Sequence, residues 1–222
     1  MISSVGLFYF FESLIFAGVS FKLFKTYKRT TNSITRNFVL LFSFLTLTFL
    51  CWSIPSLIFP ESNFLLNIGS LLGEAFIFIG FAFGMRSFVA LRFPDFPQNL
   101  VSLGTILMGA VIVYLNATVF GSSELNSQGV IEWNLNPIAV FIYAVLIVLL
   151  TIPLGIEFLR RAIIMPETRL RSLLLAFGSI LAGPGGILVI SNVPVDILMS
   201  GHILLSLGVV LIGWGFFFTE KP

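Results

Sequence analysis

Three ionisable side chains lie inside long apolar stretches of the chain, where such groups are rare: Glu12, Glu74 and His202. A charge at the centre of a bilayer costs about 2.5–3.5 kcal/mol on translocon scales, so embedded ionisable residues usually face the interior of a helix bundle. Two carboxyl groups and an imidazole at one depth would suit a proton-coupled site or the binding of a cation. One histidine with two acids is a poor match to a defined metal centre, so no metal site is predicted. The alternative is three unrelated structural roles, with Glu12 reaching toward the headgroups, Glu74 neutral and hydrogen-bonded, and His202 packed in the core.

The composition places these residues in a membrane protein. Hydrophobic residues make up 57% of the 222 residues and charged residues only 10%, whereas soluble domains carry about 25% charged residues. The single cysteine, Cys51, provides neither a disulfide nor a cysteine-based metal site. The chain lacks a phosphate-binding loop, a nucleophile elbow, an HExxH motif and a basic face for nucleic acid. We therefore expect a protein that is not an enzyme.

Seven apolar stretches are long enough to cross a bilayer as helices, which takes about 20 residues each. Only helices or closed barrels satisfy their own backbone in lipid, and no stretch alternates as a barrel strand would. The sequence thus predicts an all-α, polytopic bundle of seven transmembrane helices forming one domain over residues 1–222. The predicted spans are about 5–24, 38–59, 64–85, 99–119, 137–158, 170–191 and 196–218.

The distribution of charge predicts the orientation. All 12 lysines and arginines fall on the connections after spans 1, 3 and 5 or at the adjoining span ends, or after span 7, where Lys221 lies. The other connections carry only acids, namely Glu61, Glu124, Glu132 and Asp196. Basic loops stay in the cytoplasm, so we expect the N-terminus outside, the C-terminus in the cytoplasm and a location in the plasma membrane.

The longest connection on the acidic side runs from Phe120 to Asn136. Within it, Val130–Leu135 predicts a short strand or a segment lying on the membrane interface, with Trp133 at headgroup level. Asn116-Ala117-Thr118 matches a glycosylation sequon but lies too close to the end of span 4 to be given weight.

Spans 1–3 show similarity to spans 5–7. The aligned pairs are Thr35-Arg36 with Thr168-Arg169, Leu40-Leu41 with Leu173-Leu174, Gly73 with Gly208 and Gly80 with Gly215. This predicts a 3+1+3 plan of two parallel repeats, residues 1–92 and 137–222, joined by a linker helix in 93–120. Chance matching among Leu, Phe and Gly is the alternative.

In outline, this plan resembles the SWEET and PQ-loop transporters and also the microbial opsins. The resemblance implies either a transport pathway between the halves or an opsin-like bundle. The proline–glutamine pair of the first group is not reproduced in a helix, because Pro97-Gln98 lies in a connection. The stretch Ile203–Val209 lacks the lysine that would bind retinal, so a pigment is not expected.

Span 6 contains Gly183, Pro184, Gly185 and Gly186 near its middle. Proline removes a backbone donor and glycines withdraw side-chain support, so we predict a broken helix there with exposed carbonyls. Interrupted helices mark transport sites; the alternative is that the proline merely bends the span.

In span 3, the small residues Gly69-x-x-x-Gly73 and Gly80-x-x-x-Gly84 predict close helix packing, with self-association as the alternative.

The first function hypothesis is a transporter or channel-like protein for a small solute, with proton coupling as an option. The alternatives are a receptor or sensor for a small or lipid-like ligand, and a non-catalytic subunit of a larger membrane complex. An intramembrane enzyme is the weakest hypothesis. Expected partners are the lipid bilayer, an unidentified small molecule, and a second copy or a larger complex, without nucleic acid; no cofactor is indicated. Besides the broken span 6, the predicted ligand or proton site consists of Glu12, Asn67, Ser70, Glu74, Ser200 and His202.

Overall fold

Seven α-helices account for most of the chain that the computed structural model describes, residues 3–121 and 123–217. Each helix is long and apolar enough to cross a membrane, which confirms the predicted all-α class and the number of spans. Lys221 lies outside the described residues. The helices are α1 Ser4–Thr30, α2 Ser33–Ile58, α3 Asn63–Arg92, α4 Gln98–Ala117, α5 Pro137–Ile164, α6 Arg169–Ile190 and α7 Val195–Phe217.

Several helices extend beyond the apolar stretches that predicted them. α1 continues to Thr30 and α3 to Arg92, past the predicted ends at 24 and 85. Lys25 and Arg86 interrupt the apolar stretches there, whereas a helix ends where its backbone is capped. α1 ends at its C-cap Thr31, and α2 begins at its N-cap Asn32, whose Oδ1 accepts hydrogen bonds from the backbone N–H groups of Ile34 at 2.8 Å and Thr35 at 3.2 Å.

The helices form a ring in sequence order. Each packs against its neighbours in the chain, α7 returns to α1, and α3 also contacts α5 across the ring. α4 has few buried residues and lies at the periphery. We call the end with the α1–α2, α3–α4 and α5–α6 connections the basic face, and the opposite end the hairpin face. The repeat stays a prediction, because a ring of helices in sequence order occurs in bundles with or without a repeat. The orientation in the membrane also stays a prediction.

Helix α6 is not interrupted at Gly183–Gly186, which corrects the predicted broken helix. It runs as a continuous α-helix from Arg169 to Ile190 with Pro184 inside it. Proline removes one donor from the hydrogen-bond ladder, and the flanking residues remain helical. The glycines serve packing: a Cβ added at Gly185 would lie 2.5 Å from the backbone nitrogen of Leu205 on α7.

The α3 glycines face α2, as the packing interpretation of span 3 predicts. A Cβ added at Gly69 would lie 2.5 Å from the Cys51 carbonyl oxygen, and one at Gly80 would lie 3.2 Å from Phe44. The small residues therefore bring the α3 backbone close to α2.

The connection between α4 and α5 folds into a small antiparallel hairpin. Strand β1, Glu124–Leu125, pairs with β2, Ile131–Glu132, which confirms the predicted short strand. The side chain of Trp133 is buried with Ile131 and Leu135, because the hairpin folds inward over the end of the helices. Its level in the membrane stays a prediction.

Candidate functional site

Glu74 lies in a buried hydrogen-bonded group that we call the Glu74 cluster: Ser70, Glu74 and Asn116. Ser70 and Glu74 are one turn apart on α3, and Asn116 comes from the last turn of α4. Asn116 Nδ2 donates to Glu74 Oε1 at 2.8 Å, and Ser70 Oγ lies 3.5 Å from the same oxygen. The cluster joins the peripheral α4 to the centre of the bundle. Because its amide is committed to this bond, Asn116 does not present a glycosylation site.

A second group, the Glu12 cluster, joins α1 to α7 and consists of Glu12, His202 and Ser206. Ser206 Oγ donates to Glu12 Oε1 at 2.6 Å. His202, one turn earlier on α7, stacks on Phe8 with a centroid distance of 5.7 Å and meets the edge of Tyr9 at 5.2 Å. Glu12 and His202 therefore lie on neighbouring helices, one turn apart in depth.

The three ionisable residues are fully enclosed, with relative exposures of 0% for Glu12, 1% for Glu74 and 0% for His202. Among the described residues, no hydrogen bond joins any two of them. The second carboxyl oxygen of each glutamate and both ring nitrogens of His202 have no protein partner. A buried polar atom without a partner costs about 1–3 kcal/mol, so these atoms are sites where a proton, a water or a ligand would be stabilised.

Four aromatic residues, which we call the aromatic gate, lie beside the Glu74 cluster: Tyr9, Trp52, Trp133 and Tyr143. Trp133 Nε1 donates to the Tyr9 hydroxyl at 2.9 Å, and Trp52 lies 5.3 Å from the Tyr9 ring. The gate and Glu74 line a cavity of about 10 Å³, the lower limit of space for one water molecule.

The hairpin is held over the gate by polar contacts with α3, α4 and the connection after α6. The Ser123 hydroxyl lies 3.2 Å from Asn67 Oδ1 on α3 and 3.0 Å from the Trp133 carbonyl oxygen. The backbone N–H of Asn136 donates to Asn116 Oδ1 at 2.9 Å. Asn192, which follows α6, donates to the Leu135 carbonyl oxygen at 3.1 Å. The hairpin thus covers part of this end of the bundle and leaves a cavity of about 210 Å³ beside the end of α6.

Beyond the gate lies a central chamber of about 130 Å³, lined by every helix except α4. Its walls are almost entirely apolar. The hydroxyls of Thr151 and Ser179 donate to the carbonyl oxygens of Ile147 and Leu175 on their own helices, both at 2.8 Å. The aromatic lining consists of Phe16, Phe38, Phe42, Phe49, Trp52, Phe81, Tyr143, Phe158 and Phe216. A chamber of this size holds a ligand of about one aromatic ring, since cavities near 150 Å³ bind benzene.

The chamber continues toward a wider cavity at the basic face, which we call the mouth. The mouth has a volume of about 290 Å³ and is lined by charged and polar residues as well as apolar ones. Chamber and mouth share the side chains of Phe38, Leu154, Phe158, Leu175 and Phe216. A ligand in the chamber would therefore be reached from the basic face.

The sequence-predicted site is brought together only in part. Ser70 contacts Glu74, and Asn67 lies under the hairpin. Ser200 is exposed, and its hydroxyl donates to the Asp196 carbonyl oxygen at 2.8 Å, so its predicted place in the site is corrected. Of the glycines around Pro184, Gly186 lines the chamber.

Six residues of the clusters and the gate were missed by sequence reasoning: Tyr9, Trp52, Asn116, Trp133, Tyr143 and Ser206. The signal for Ser206 was present, because it lies one helical turn from His202 within an apolar span. The signal for Asn116 was an amide near the end of span 4. Tyr9 and Trp133 are 124 positions apart in the chain, and nothing in the sequence pairs them.

Comparison with protein-family models, with curated proteins and with solved structures finds no match for this chain.

Proposed function

We propose that the chain is a small membrane transporter for an amphiphilic solute whose flat apolar part occupies the central chamber. One observation carries the proposal: an apolar chamber at the centre of the bundle adjoins a wider mouth at the basic face. A central chamber that adjoins one face of the bundle is what a transporter presents in one of its two alternating states.

The chamber walls select the class of solute. A sugar or amino acid placed there would lose its hydration without gaining hydrogen bonds, at a cost of about 2–7 kcal/mol for each polar group. A wholly apolar molecule crosses the bilayer unaided. A molecule with an apolar ring and a polar head meets both requirements. Its ring suits the apolar chamber, and its polar head prevents it from crossing the bilayer unaided.

The two clusters supply a route to proton coupling. Glu74 shares the small cavity with the gate. Glu12 lies one helical turn from His202 in depth, and His202 meets the edge of the Tyr9 ring. Protonation of either acid would alter contacts at the hairpin face, where the gate and hairpin must part for release. With the basic face in the cytoplasm, as the charge distribution predicts, the present state faces inward and the plasma membrane stays the proposed location.

A receptor or sensor for the same ligand is the second candidate. The continuous α6 favours it, because the broken helix that would have marked a transport pathway is absent. Such a protein would bind in the chamber without ever opening the hairpin face.

A matched pair of glycine variants tests both candidates. The probe is 4-bromophenyl glucoside, which has one flat apolar ring, a neutral head of low permeability and a bromine that quenches tryptophan. Trp52 lines the chamber, Trp133 lies 6.3 Å from it and Trp214 is exposed on the outer surface of α7. Trp214→Phe therefore serves as the background, in which the emission comes from Trp52 and Trp133. Gly186→Leu would project into the chamber, where an added Cβ meets only Ile147 at 3.7 Å; in the control Gly104→Leu it meets nothing within 4 Å.

We expect the glucoside to quench the tryptophan emission and to enter proteoliposomes faster than protein-free vesicles. Gly186→Leu should reduce both signals at least about tenfold, a loss of about 1.4 kcal/mol, and Gly104→Leu should reduce neither. Quenching without flux would replace the transporter by the receptor. Absence of quenching, or equal loss in both variants, would overturn ligand binding in the chamber.

A further inference from the structure

We infer that the head group of the ligand is anionic and that Arg171 and Lys22 bind it at the mouth. This inference rests on the proposed function, because it assigns the ligand class of the same chamber. It specifies an anionic amphiphile with a carboxylate, sulfate or phosphate head.

The charges around the mouth are unbalanced. Its charged lining consists of Glu157, Arg161 and Arg171. Glu157 already accepts from Arg160 Nε and Nη2 at 3.0 Å each and from Arg161 Nε at 3.2 Å. Among the described lining residues, the one carboxylate is therefore engaged by two other arginines and not by Arg171.

Arg171 has a cation for a neighbour instead of an acid. Lys22 on α1 and Arg171 on α6 lie over consecutive rings of α7, Phe217 and Phe216, and the Arg171 charge opposes the Lys22 charge. In the ranges 3–121 and 123–217, Arg171 forms no ion pair with an acid. Two cations from different helices that share no carboxylate of the described residues form a site that an anion would stabilise.

The aromatic contacts connect this cation pair to the chamber. The Arg171 guanidinium lies 5.9 Å from the centroid of the Phe216 ring, and Lys22 Nζ lies 5.3 Å from that of Phe217. Phe216 lines both the mouth and the chamber. A ligand whose head is held by Arg171 would thus pass its apolar part along Phe216 into the chamber.

Basic residues at this face also have a simpler role, which is attraction to anionic lipid headgroups. That role does not depend on the chamber, whereas the inferred site requires the chamber and the cation pair to act on one molecule. Blocking the chamber therefore separates the two.

The test compares 4-bromophenyl sulfate with the glucoside in the Trp214→Phe background, using tryptophan quenching in phosphatidylcholine nanodiscs. We expect the sulfate to bind about tenfold more tightly than the glucoside, which is the scale of one charge-assisted contact. The double variant Lys22→Gln, Arg171→Gln should abolish this preference and leave glucoside binding within about twofold. The charge-preserving Lys22→Arg, Arg171→Lys should retain most of it.

Two controls define the site. Arg29→Gln removes an exposed cation of the same face that does not line the mouth, and it should leave the preference unchanged. Gly186→Leu should remove sulfate binding along with glucoside binding. Sulfate binding that survives Gly186→Leu would show attraction to the basic surface alone and would overturn the inference.

The remaining outcomes are distinguishable. Equal affinities for sulfate and glucoside, or a preference unaffected by the double variant, would overturn the anionic head while leaving the proposed chamber intact. If neither probe binds, the proposed function fails and the inference fails with it. Adding phosphatidylglycerol to the nanodiscs identifies the source of the anion: competition with the sulfate indicates a lipid headgroup, and no competition indicates a free anionic solute.

Discussion

At the scale of single residues, the clusters differ in how completely their acids are satisfied. Glu74 Oε1 accepts from Asn116 and lies near Ser70, while Glu12 Oε1 accepts from Ser206 alone. In both, Oε2 has no protein partner. Each acid thus joins two helices through one oxygen and keeps the other free, an arrangement that permits a change of protonation without loss of the helix–helix contact.

This arrangement predicts different effects for two substitutions of Glu74. Glu74→Gln keeps an acceptor for Asn116 Nδ2, so the free energy of unfolding should change by less than about 1 kcal/mol. Glu74→Leu leaves the buried Asn116 amide without its acceptor and should cost about 1–3 kcal/mol. Unfolding in detergent, followed by circular dichroism, compares the two.

The Glu74→Gln variant also tests proton coupling. Because glutamine does not titrate, Glu74→Gln should abolish any pH dependence of probe transport while the fold remains intact. A pH profile for Glu74→Gln that matches the wild type would exclude Glu74 as the coupling residue and leave Glu12 and His202 as candidates.

At the scale of helices, α6 and α7 form the closest contact in the bundle because glycines face each other across it. A Cβ added at Gly178 would lie 2.8 Å from the Gly208 carbonyl oxygen, and one at Gly201 would lie 3.2 Å from that of Gly185. With no side chains between them, the two backbones approach directly. Residues that were predicted to break α6 instead fix its position against α7.

Two adjacent glycines of α6 allow this role to be tested. Gly185→Ala would force its Cβ to within 2.5 Å of the Leu205 nitrogen, while Gly186→Ala finds Ile147 at 3.7 Å. Overpacking costs about 1–3 kcal/mol, whereas alanine in an open helical position gains up to about 1 kcal/mol over glycine. Gly185→Ala should therefore lower the melting temperature, and Gly186→Ala should leave it unchanged or raise it. Equal effects would show that the backbones do not meet at Gly185.

The helices were more predictable than their contacts. The spans follow from hydropathy because lipid demands about 20 apolar residues and internal backbone hydrogen bonds. The same property hides the contacts, since in lipid the inner and outer faces of a helix are equally apolar. Gly183–Gly186 illustrates this: the sequence shows that side chains are missing there, but whether the helix opens or a neighbour moves in depends on α7.

At the scale of the whole molecule, the two ends are built differently. The hairpin face is partly covered by a folded connection whose Trp133 is buried against Tyr9 of α1, while the basic face has short connections and an open mouth. The covering of the hairpin face could not be predicted, because it depends on how the Phe120 to Asn136 connection folds back. The character of the basic face was partly predictable, because its connections carry the lysines and arginines.

The orientation of these two ends decides which compartment supplies the ligand, and labelling of single cysteines tests it. In a Cys51→Ala background, cysteines would replace Ser127 and Gln128 on the hairpin, and Thr30 and Glu167 at the basic face; all four positions are exposed. Because basic connections are retained in the cytoplasm, a membrane-impermeant maleimide applied to intact cells should label 127 and 128. Positions 30 and 167 should react only after permeabilisation, which also controls for their reactivity. The opposite pattern would place the mouth outside, so that the chamber would take its anionic amphiphile from the external medium and the hairpin would face the cytoplasm.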